Sequence, residues 1–191
     1  MGKSYTSKGQ LDVGKKGEEN ILSYIKKNFN AVDVKEITGL KYKCLRKFDI
    51  DFVCSFDEKI DDNILLGGDI DLINKKYLTI ELKSDTIMYR TGNMYLEDVL
   101  ITVKDRKHID GFMRKCKAKL FMYQDVTGNK LYSGWFGKLK KYYDNNITKF
   151  KQAPIVDSEV VGTNEKCYVY GHLVPIMNMV KIGLMFEAKN F

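Results

Sequence analysis

Two apolar runs interrupted by carboxylates make up the stretch GGDIDLINKKYLTIELKSD, residues 67–85. Successive side chains of a strand point to opposite faces of a sheet. In the second run, Glu81 and Lys83 therefore share one face, about 6.5–7 Å apart along the strand. The opposite face carries aliphatic side chains, namely Leu78, Ile80 and Leu82. Because core strands rarely carry charge, this pattern indicates a charged site on one face of a central strand.

The first run supplies the expected partner strand. Residues 64–73 and 77–84 are predicted to form a hairpin around a short loop. With an odd-length loop of three residues, Asp71 lies diagonal to Glu81, and all the charged groups collect on one face. A two-residue loop would mix polar and apolar side chains on both faces. We therefore predict a cluster of Asp71, Glu81 and Lys83.

Such a cluster has a chemical use. Neighbouring carboxylates repel each other and stay ionised most easily when a cation lies between them. Mg²⁺ prefers oxygen ligands and commonly uses one or two protein carboxylates together with a substrate phosphate. A lysine beside the metal can hold or polarise an attacking water, while the metal stabilises charge on phosphate oxygens. The alternative is a solvated hairpin face with ordinary surface salt bridges.

Asp71, nine intervening residues and then Glu81-Leu82-Lys83 resemble the PD-(D/E)xK, or restriction-endonuclease-like, nuclease superfamily. The resemblance implies an α/β fold with a mixed central β-sheet flanked by helices, and Mg²⁺-dependent hydrolysis of phosphodiesters, with Mn²⁺ as the expected substitute. It implies Asp71 and Glu81 as metal ligands, the Leu82 carbonyl as a further ligand, and Lys83 as the catalytic lysine. Ile70 stands where the family name has proline.

Two flanking stretches extend the resemblance. Residues 17–20, Gly-Glu-Glu-Asn, resemble the family's first motif, in which a helix glutamate reaches the metal. Residues 91–97 are similar to a Thr-Gly-Asn, apolar, Glu stretch that starts the next core strand in a subset of these nucleases. Glu18 is the preferred helix glutamate, and its alternative role is to interact with the helix dipole. The sequence leaves open which further carboxylates join the site: Glu18, Glu19, Asp69 or Glu97.

The rest of the chain predicts one domain, residues 1–191, with a mixed sheet and helices packed against it. Helices are predicted by apolar spacing at residues 14–30, at 133–143 and directly after Pro175. Further strands are predicted at residues 48–56, 94–103, 119–124 and 166–173.

Composition favours a polyanionic partner. The chain has 32 Lys and Arg against 25 Asp and Glu, a net charge of +7. Phosphate backbones are bound by basic side chains with salt-dependent affinity. The candidate nucleic-acid-binding residues are Lys41, Lys43, Arg46, Lys47, Lys104, Arg106 and Lys107. The alternative for each cluster is a solvated surface, and no motif for sequence-specific readout is present.

The remaining composition predicts a cytoplasmic protein without a membrane partner. No run approaches the roughly 20 apolar residues that a membrane span needs. The four cysteines include no C-x-x-C pair, so neither a zinc site nor a redox motif is indicated, and reduced thiols are expected.

We therefore predict a Mg²⁺-dependent nuclease, with DNA the expected substrate and an endonuclease favoured over an exonuclease. A restriction-type enzyme, a structure-specific resolvase and a mobile-element or repair nuclease all stay open, as does a homodimer. One alternative is a catalytically inactive nucleic-acid-binding module with the same fold. Another is an interaction protein whose charged hairpin is surface decoration.

Overall fold

The computed structural model describes residues 19–153, 156–160, 165–189 and 191. Its strands are β1 (Asp33–Glu36), β2 (Phe52–Ser55), β3 (Leu78–Asp85), β4 (Asn93–Thr102), β5 (His108–Asp110), β6 (Leu120–Asp125), β7 (Lys130–Trp135), β8 (Lys151–Gln152), β9 (Val156–Val160), β10 (Glu165–Pro175) and β11 (Phe186–Glu187). Its helices are α1 (residues 19–28), α2 (Lys43–Arg46), α3 (Asp62–Gly67), α4 (Ile70–Lys76), α5 (Met88–Thr91), α6 (Phe112–Lys115), α7 (Phe136–Asn146) and α8 (Ile176–Lys181), with 3₁₀ turns at Leu40–Tyr42 and Ile147–Lys149.

The central sheet has six strands in the order β1-β2-β3-β6-β7-β11. Strands β3 and β6 are parallel, whereas the other pairs are antiparallel. A parallel pair needs a long crossover, and here α5, β4, β5 and α6 lie between β3 and β6 in the chain. A second sheet has the order β5-β4-β10-β8, with β9 also paired to β10. The prediction of a mixed α/β fold with a mixed central sheet and flanking helices is confirmed.

Both faces of the central sheet are covered. On one face, Ile21 and Ile25 of α1 pack against the sheet. The sheet residues of this cluster include Phe52, Ile80, Leu82, Leu120 and Met122. The opposite face belongs to a larger core, to which β4, α6 and α7 contribute Met94, Leu96, Phe112, Phe136 and Tyr143. Strand β3 therefore lies at the centre of the fold, and a charged side chain in its middle, such as that of Glu81, is removed from bulk water.

Most predicted elements are present with shifted ends. The predicted strands correspond to β2, β3, β4, β6 and β10, and the helix after Pro175 is α8. The helix predicted at 133–143 begins only at Phe136, because residues up to Trp135 belong to β7, and Trp135 is half exposed. Of the helix predicted at 14–30, residues 19–28 are helical, and 14–18 lie outside the described residues.

The predicted hairpin is wrong, because residues 64–73 form parts of α3 and α4 instead of a strand. Gly68 ends α3 in the left-handed conformation with φ of 69°. The Asp69 carboxylate then caps α4 by accepting hydrogen bonds from the backbone N–H groups of Asp71 and Leu72, both at 3.1 Å. The carboxylates in this stretch therefore serve helix starts. In the described ranges, no helix is long and apolar enough to cross a membrane.

Candidate active site

Glu81 and Lys83 share one face of β3, as strand alternation predicts. Ile80 and Leu82 pack under α1, while Glu81 and Lys83 point to the other face. The Glu81 side chain is only 2% exposed and that of Lys83 is 30% exposed, and Lys83 Nζ lies 2.7 Å from Glu81 Oε1. The same ammonium lies 5.0 Å from the centre of the Phe112 ring on α6. Lys83 is thus held in one position by an ion pair and an aromatic ring.

The carboxylate beside Glu81 is Asp51, which immediately precedes β2. Phe52 pairs with Ile80, and the Asp51 carboxylate is close enough to Glu81 to raise the pKa of that side chain. The Asp51 backbone N–H donates to the Ile80 carbonyl at 2.9 Å, and its Oδ2 accepts from the Leu82 N–H at 2.8 Å. Sequence reasoning missed this residue, although Asp51 lies in a stretch that it read as an alternating strand.

The predicted cluster of Asp71 with Glu81 and Lys83 is wrong. Asp71 is exposed in the first turn of α4, and Asp69 is its exposed N-cap. Neither residue lies on a strand next to β3. Glu18 lies outside the described residues, and Glu19 is exposed on α1, which packs against the face opposite Glu81.

Asp49 adds a further carboxylate near the pair. It has φ of 49°, the left-handed region that Asp tolerates better than most residues, in the turn between α2 and β2. Its Oδ1 lies 3.1 Å from Lys115 Nζ on α6. Its Oδ2 is buried and has no hydrogen-bond partner among the described residues. An orphaned buried carboxylate oxygen is expensive unless a water or a cation satisfies it.

Burial and mutual repulsion shift the titration of these groups. Burial raises the pKa of Glu81 well above its usual range, and the Asp51 carboxylate raises it further, against the opposing effect of Lys83. Burial likewise raises the pKa of Asp51, partly offset by Lys83 and by the Leu82 N–H. Burial alone would lower the pKa of Lys83, but the carboxylates around it, first Glu81 and then Glu97, raise it well above its usual range. The direction of this shift favours the ammonium form of Lys83.

The donor set fits Mg²⁺. Four carboxylates, those of Glu81, Glu97, Asp49 and Asp51, raise the pKa of Lys83, and Lys115 forms an ion pair with Asp49. Across the part of the chain that the structure describes, no group of three or more His, Cys, Asp or Glu side chains is arranged to hold a metal. Mg²⁺ needs only one or two protein carboxylates, since water and substrate complete its coordination. Asp51 and Glu81 meet that requirement.

The backbone supplies another oxygen on this side. The N–H and C=O of one strand residue point to the same neighbouring strand. The Leu82 N–H points towards β2, where it meets the Asp51 carboxylate at 2.8 Å. Its carbonyl therefore points to the same side, beyond the last paired residue of β2, which is Phe52. The Leu82 carbonyl oxygen is therefore directed to the side of β3 on which Asp51 lies.

Glu97, whose carboxylate acts on Lys83, lies on β4 directly before a β-bulge. Gly171 pairs with Glu97 and Tyr170 pairs with Val99, which leaves Asp98 as the extra residue. The Asp98 Oδ2 accepts a hydrogen bond from Tyr143 Oη at 2.6 Å and lies 2.8 Å from Nδ1 of His172. This buried network anchors the bulge to α7 and β10.

Gly171 permits the close approach of β10 to this bulge. A Cβ at this position would overlap the carbonyl oxygen of Leu96, which is backbone and cannot move aside. We expect Gly171→Ala to lower the free energy of unfolding by about 1–3 kcal/mol, measured by urea denaturation. The control is Gly137→Ala on α7, where the added Cβ meets none of the described residues within 4 Å. Gly137→Ala should raise the free energy of unfolding by about 0.5 kcal/mol. Equal effects of Gly171→Ala and Gly137→Ala would contradict the close approach of β10 to the β4 bulge.

The predicted basic residues lie on two exposed segments. Lys43, Arg46 and Lys47 are exposed on and directly after α2, and Lys41 on the preceding 3₁₀ turn forms an ion pair with Asp62 at 3.0 Å. Lys104, Arg106 and Lys107 are exposed in the turn between β4 and β5. The basic side chains that contact carboxylates of the site region are others: Lys83, Lys115 and, at 3.7 Å from Asp98, Arg114.

Comparison of the chain with protein-family models, with curated proteins and with solved structures finds no match. Function is therefore inferred from the arrangement of Asp51, Glu81 and Lys83. The buried carboxylate of Glu81, the partly buried carboxylate of Asp51 and the Lys83 ammonium group can together bind a divalent cation and stabilise a negatively charged transition state.

Proposed function

We propose that this chain is a Mg²⁺-dependent nuclease with a restriction-endonuclease-like core. The observation that carries the proposal is the trio Asp51, Glu81 and Lys83, with Lys83 Nζ 2.7 Å from Glu81 Oε1 and Asp51 Oδ2 2.8 Å from the backbone nitrogen of Leu82. Hydrophobic residues of similar volume often stabilise a fold as well as a buried ion pair does. The trio is therefore better explained by chemistry than by folding.

Each residue of the trio has a distinct role in this proposal. Bound Mg²⁺ supplies Lewis-acid stabilisation of the charge on phosphate oxygens. Asp51, Glu81 and the Leu82 carbonyl provide its protein oxygens. Lys83 donates hydrogen bonds to the attacking water or to a phosphate oxygen, and its positive charge stabilises the transition state. Asp49 Oδ2, without a partner among the described residues, is available to accept a hydrogen bond from that water.

The substrate is proposed to be nucleic acid, with DNA expected. The net charge is +7, and the exposed basic segments offer contacts to phosphates that an acidic site alone would repel. The four cysteines are free thiols, in accord with a reducing, cytoplasmic location. A homodimer would let this small chain cut both strands of a duplex.

The direct test is cleavage of a substrate panel. Purified protein is incubated with Mg²⁺, Mn²⁺ or EDTA and with duplex DNA, single-stranded DNA, branched DNA or RNA. We expect cleavage of at least one DNA substrate that requires the metal. Binding without cleavage of any substrate would instead support the inactive nucleic-acid-binding module.

Binding should depend steeply on salt, because phosphate contacts release counterions. We expect the affinity of Asp51→Asn protein for a duplex probe to fall at least about 10-fold between about 50 and 200 mM salt. The double variant Arg106→Gln/Lys107→Gln should reduce the slope of log affinity against log salt by about 2. Lys26→Gln/Lys27→Gln on the exposed surface of α1 removes the same charge and should leave the slope unchanged. A flat salt dependence would make the basic segments solubilising surface only.

A further inference from the structure

A cavity of about 590 Å³ lies beside the start of β4. Its lining includes polar side chains, two lysines and one aromatic ring, from Thr91, Asn93, Lys149, Phe150, Lys151 and Asn178. The Thr91-Gly92-Asn93 turn, which the sequence singles out, thus forms one of its walls. A volume of this size is typical of sites that take small organic ligands.

The charge of the cavity is positive. Lys149 and Lys151 are exposed, and Lys149 Nζ contacts the amide oxygen of Asn146 at 2.9 Å. Over the described ranges, neither ammonium group forms an ion pair, and none of the described lining residues is acidic. Two uncompensated lysines favour an anion such as a phosphate group.

Phe150 gives the cavity a fixed aromatic wall. Its ring stacks on Tyr143 with centroids 5.8 Å apart and planes inclined by 14°. Tyr143 is itself held by hydrogen bonds to Asp98 and His172 at 2.6 and 2.7 Å. Because one side of Phe150 is packed in this way, its position is set before any ligand arrives. A preorganised ring suits the stacking of a nucleobase.

The cavity shares one face of β4 with Glu97, whose carboxylate raises the pKa of Lys83. Asn93 and Glu97 are on the same face of β4, since the buried Met94 and Leu96 alternate with them. Four residues of a strand span about 13 Å. The α8 end of the cavity is tied to the turn by the hydrogen bond from the Ile176 N–H to the Gly92 carbonyl at 3.0 Å.

We propose that this cavity is a subsite for one nucleotide unit of single-stranded nucleic acid. Lys149 and Lys151 bind its phosphate, and its base packs against Phe150. The proposal rests on the proposed function, because a strand held here runs along β4 towards Glu81 and Lys83. A free nucleotide offers the same phosphate and base, so both sources belong in the test.

The test is binding in EDTA, where no cleavage occurs. The probes are a fluorescein-labelled oligothymidylate of about 12 nucleotides, followed by anisotropy, and unlabelled thymidine monophosphate as a competitor. Lys149→Gln/Lys151→Gln should weaken oligonucleotide binding at least about 10-fold. The matched control Lys138→Gln/Lys141→Gln changes two exposed lysines of α7 that do not line the cavity, and it should weaken binding by less than about 3-fold. Phe150→Leu should weaken binding about 10-fold, with its fold checked by circular dichroism.

Each result has one meaning. Weaker oligonucleotide binding in the Lys149/Lys151 variant but not in the Lys138/Lys141 variant supports the subsite. The probe that binds more tightly, the oligonucleotide or the free nucleotide, identifies the ligand. The subsite proposal is overturned if the cavity pair Lys149/Lys151 and the control pair Lys138/Lys141 weaken oligonucleotide binding equally, or if neither weakens it. This comparison stands even if Phe150→Leu does not fold. Failure of the proposed function looks different, since it appears as absent metal-dependent cleavage while binding still depends on Lys149 and Lys151. Conversely, cleavage that is intact in the cavity variants, with unchanged binding, removes the subsite and leaves the nuclease proposal standing.

Discussion

Asp51→Asn is expected to lower the rate of Mg²⁺-dependent cleavage at least about 100-fold, because it removes a charged metal ligand and the transition-state stabilisation that depends on it. The matched control is Asp71→Asn, which deletes the same charge from an exposed position in α4. Its cleavage rate should equal that of the wild type. Addition of Mg²⁺ should raise the Tm of the wild type and of Asp71→Asn, but not that of Asp51→Asn.

The same substitution has a pH-dependent effect on stability. Burial raises the pKa values of both Asp51 and Glu81, so the native state binds more protons than the unfolded chain above about pH 4. The free energy of unfolding of metal-free wild type should therefore fall as the pH rises from about 4 through these raised pKa values. Asp51→Asn removes one of the two charges and retains an oxygen that can accept from the Leu82 N–H.

We therefore expect metal-free Asp51→Asn to be more stable than the wild type at about pH 8, by about 1 kcal/mol, with the gap closing towards about pH 4. Urea denaturation in EDTA at several pH values measures this. Asp71→Asn should show no such trend. A wild-type cleavage rate in Asp51→Asn, combined with loss of cleavage in Asp71→Asn, would show that Asp71 and not Asp51 is the metal ligand.

The face of β3 could be predicted from sequence because strand alternation is local. Glu81 and Lys83 share a face in any sheet that contains residues 78–85 as a regular strand. Which carboxylate joins them depends on strand pairing, and that is a tertiary property. The hairpin assumed that consecutive apolar runs pair, as consecutive strands often do. Instead β3 pairs with β2, and α3 and α4 lie between these two strands in the chain.

Signals for the correct arrangement were present. Gly67 and Gly68, with Asp61 and Asp69 each preceding a helix start, are typical helix-end and N-cap residues. The alternating FDIDFV stretch, residues 48–53, predicts a strand that contains Asp51. A carboxylate among the apolar residues of that strand is as unusual as Glu81 is among those of β3.

Other parts of the site could not be read from local sequence at all. The Asp98 network joins side chains that are 45 and 74 residues apart in the chain. The cavity brings Asn93 together with Lys149 and Lys151 through the pairing of β10 with both β4 and β8. Neither arrangement has a repeated spacing that a sequence pattern could show.

Lys83→Ala should lower the cleavage rate at least about 100-fold while leaving Mn²⁺ affinity near normal, because lysine is not a metal ligand. It also leaves the buried Glu81 carboxylate beside Asp51 without its cation. Breaking a fully buried pair costs about 3–5 kcal/mol. Since Lys83 is 30% exposed, we expect a loss of about 2 kcal/mol in metal-free protein, with part of it restored by metal.

Lys83→Arg tests whether a positive charge alone is sufficient. A planar guanidinium cannot occupy the position that the compact ammonium holds between Glu81 and the Phe112 ring, so little activity should return. The control is Lys130→Ala, which removes a strand lysine of the same sheet from a surface ion pair with Glu187 at 3.0 Å and should leave the cleavage rate unchanged.

The pH profile separates the electrostatic role of Lys83 from that of a base. Its raised pKa keeps the ammonium charged, so the cleavage rate of the wild type should not rise between about pH 7 and pH 9 through loss of that proton. A rise in this range that disappears in Lys83→Ala would show that the neutral amine acts as a base. Equal cleavage rates in wild type, Lys83→Ala and Lys130→Ala would instead assign Lys83 to neutralising Glu81 in the fold, and catalysis would then depend on the carboxylates alone.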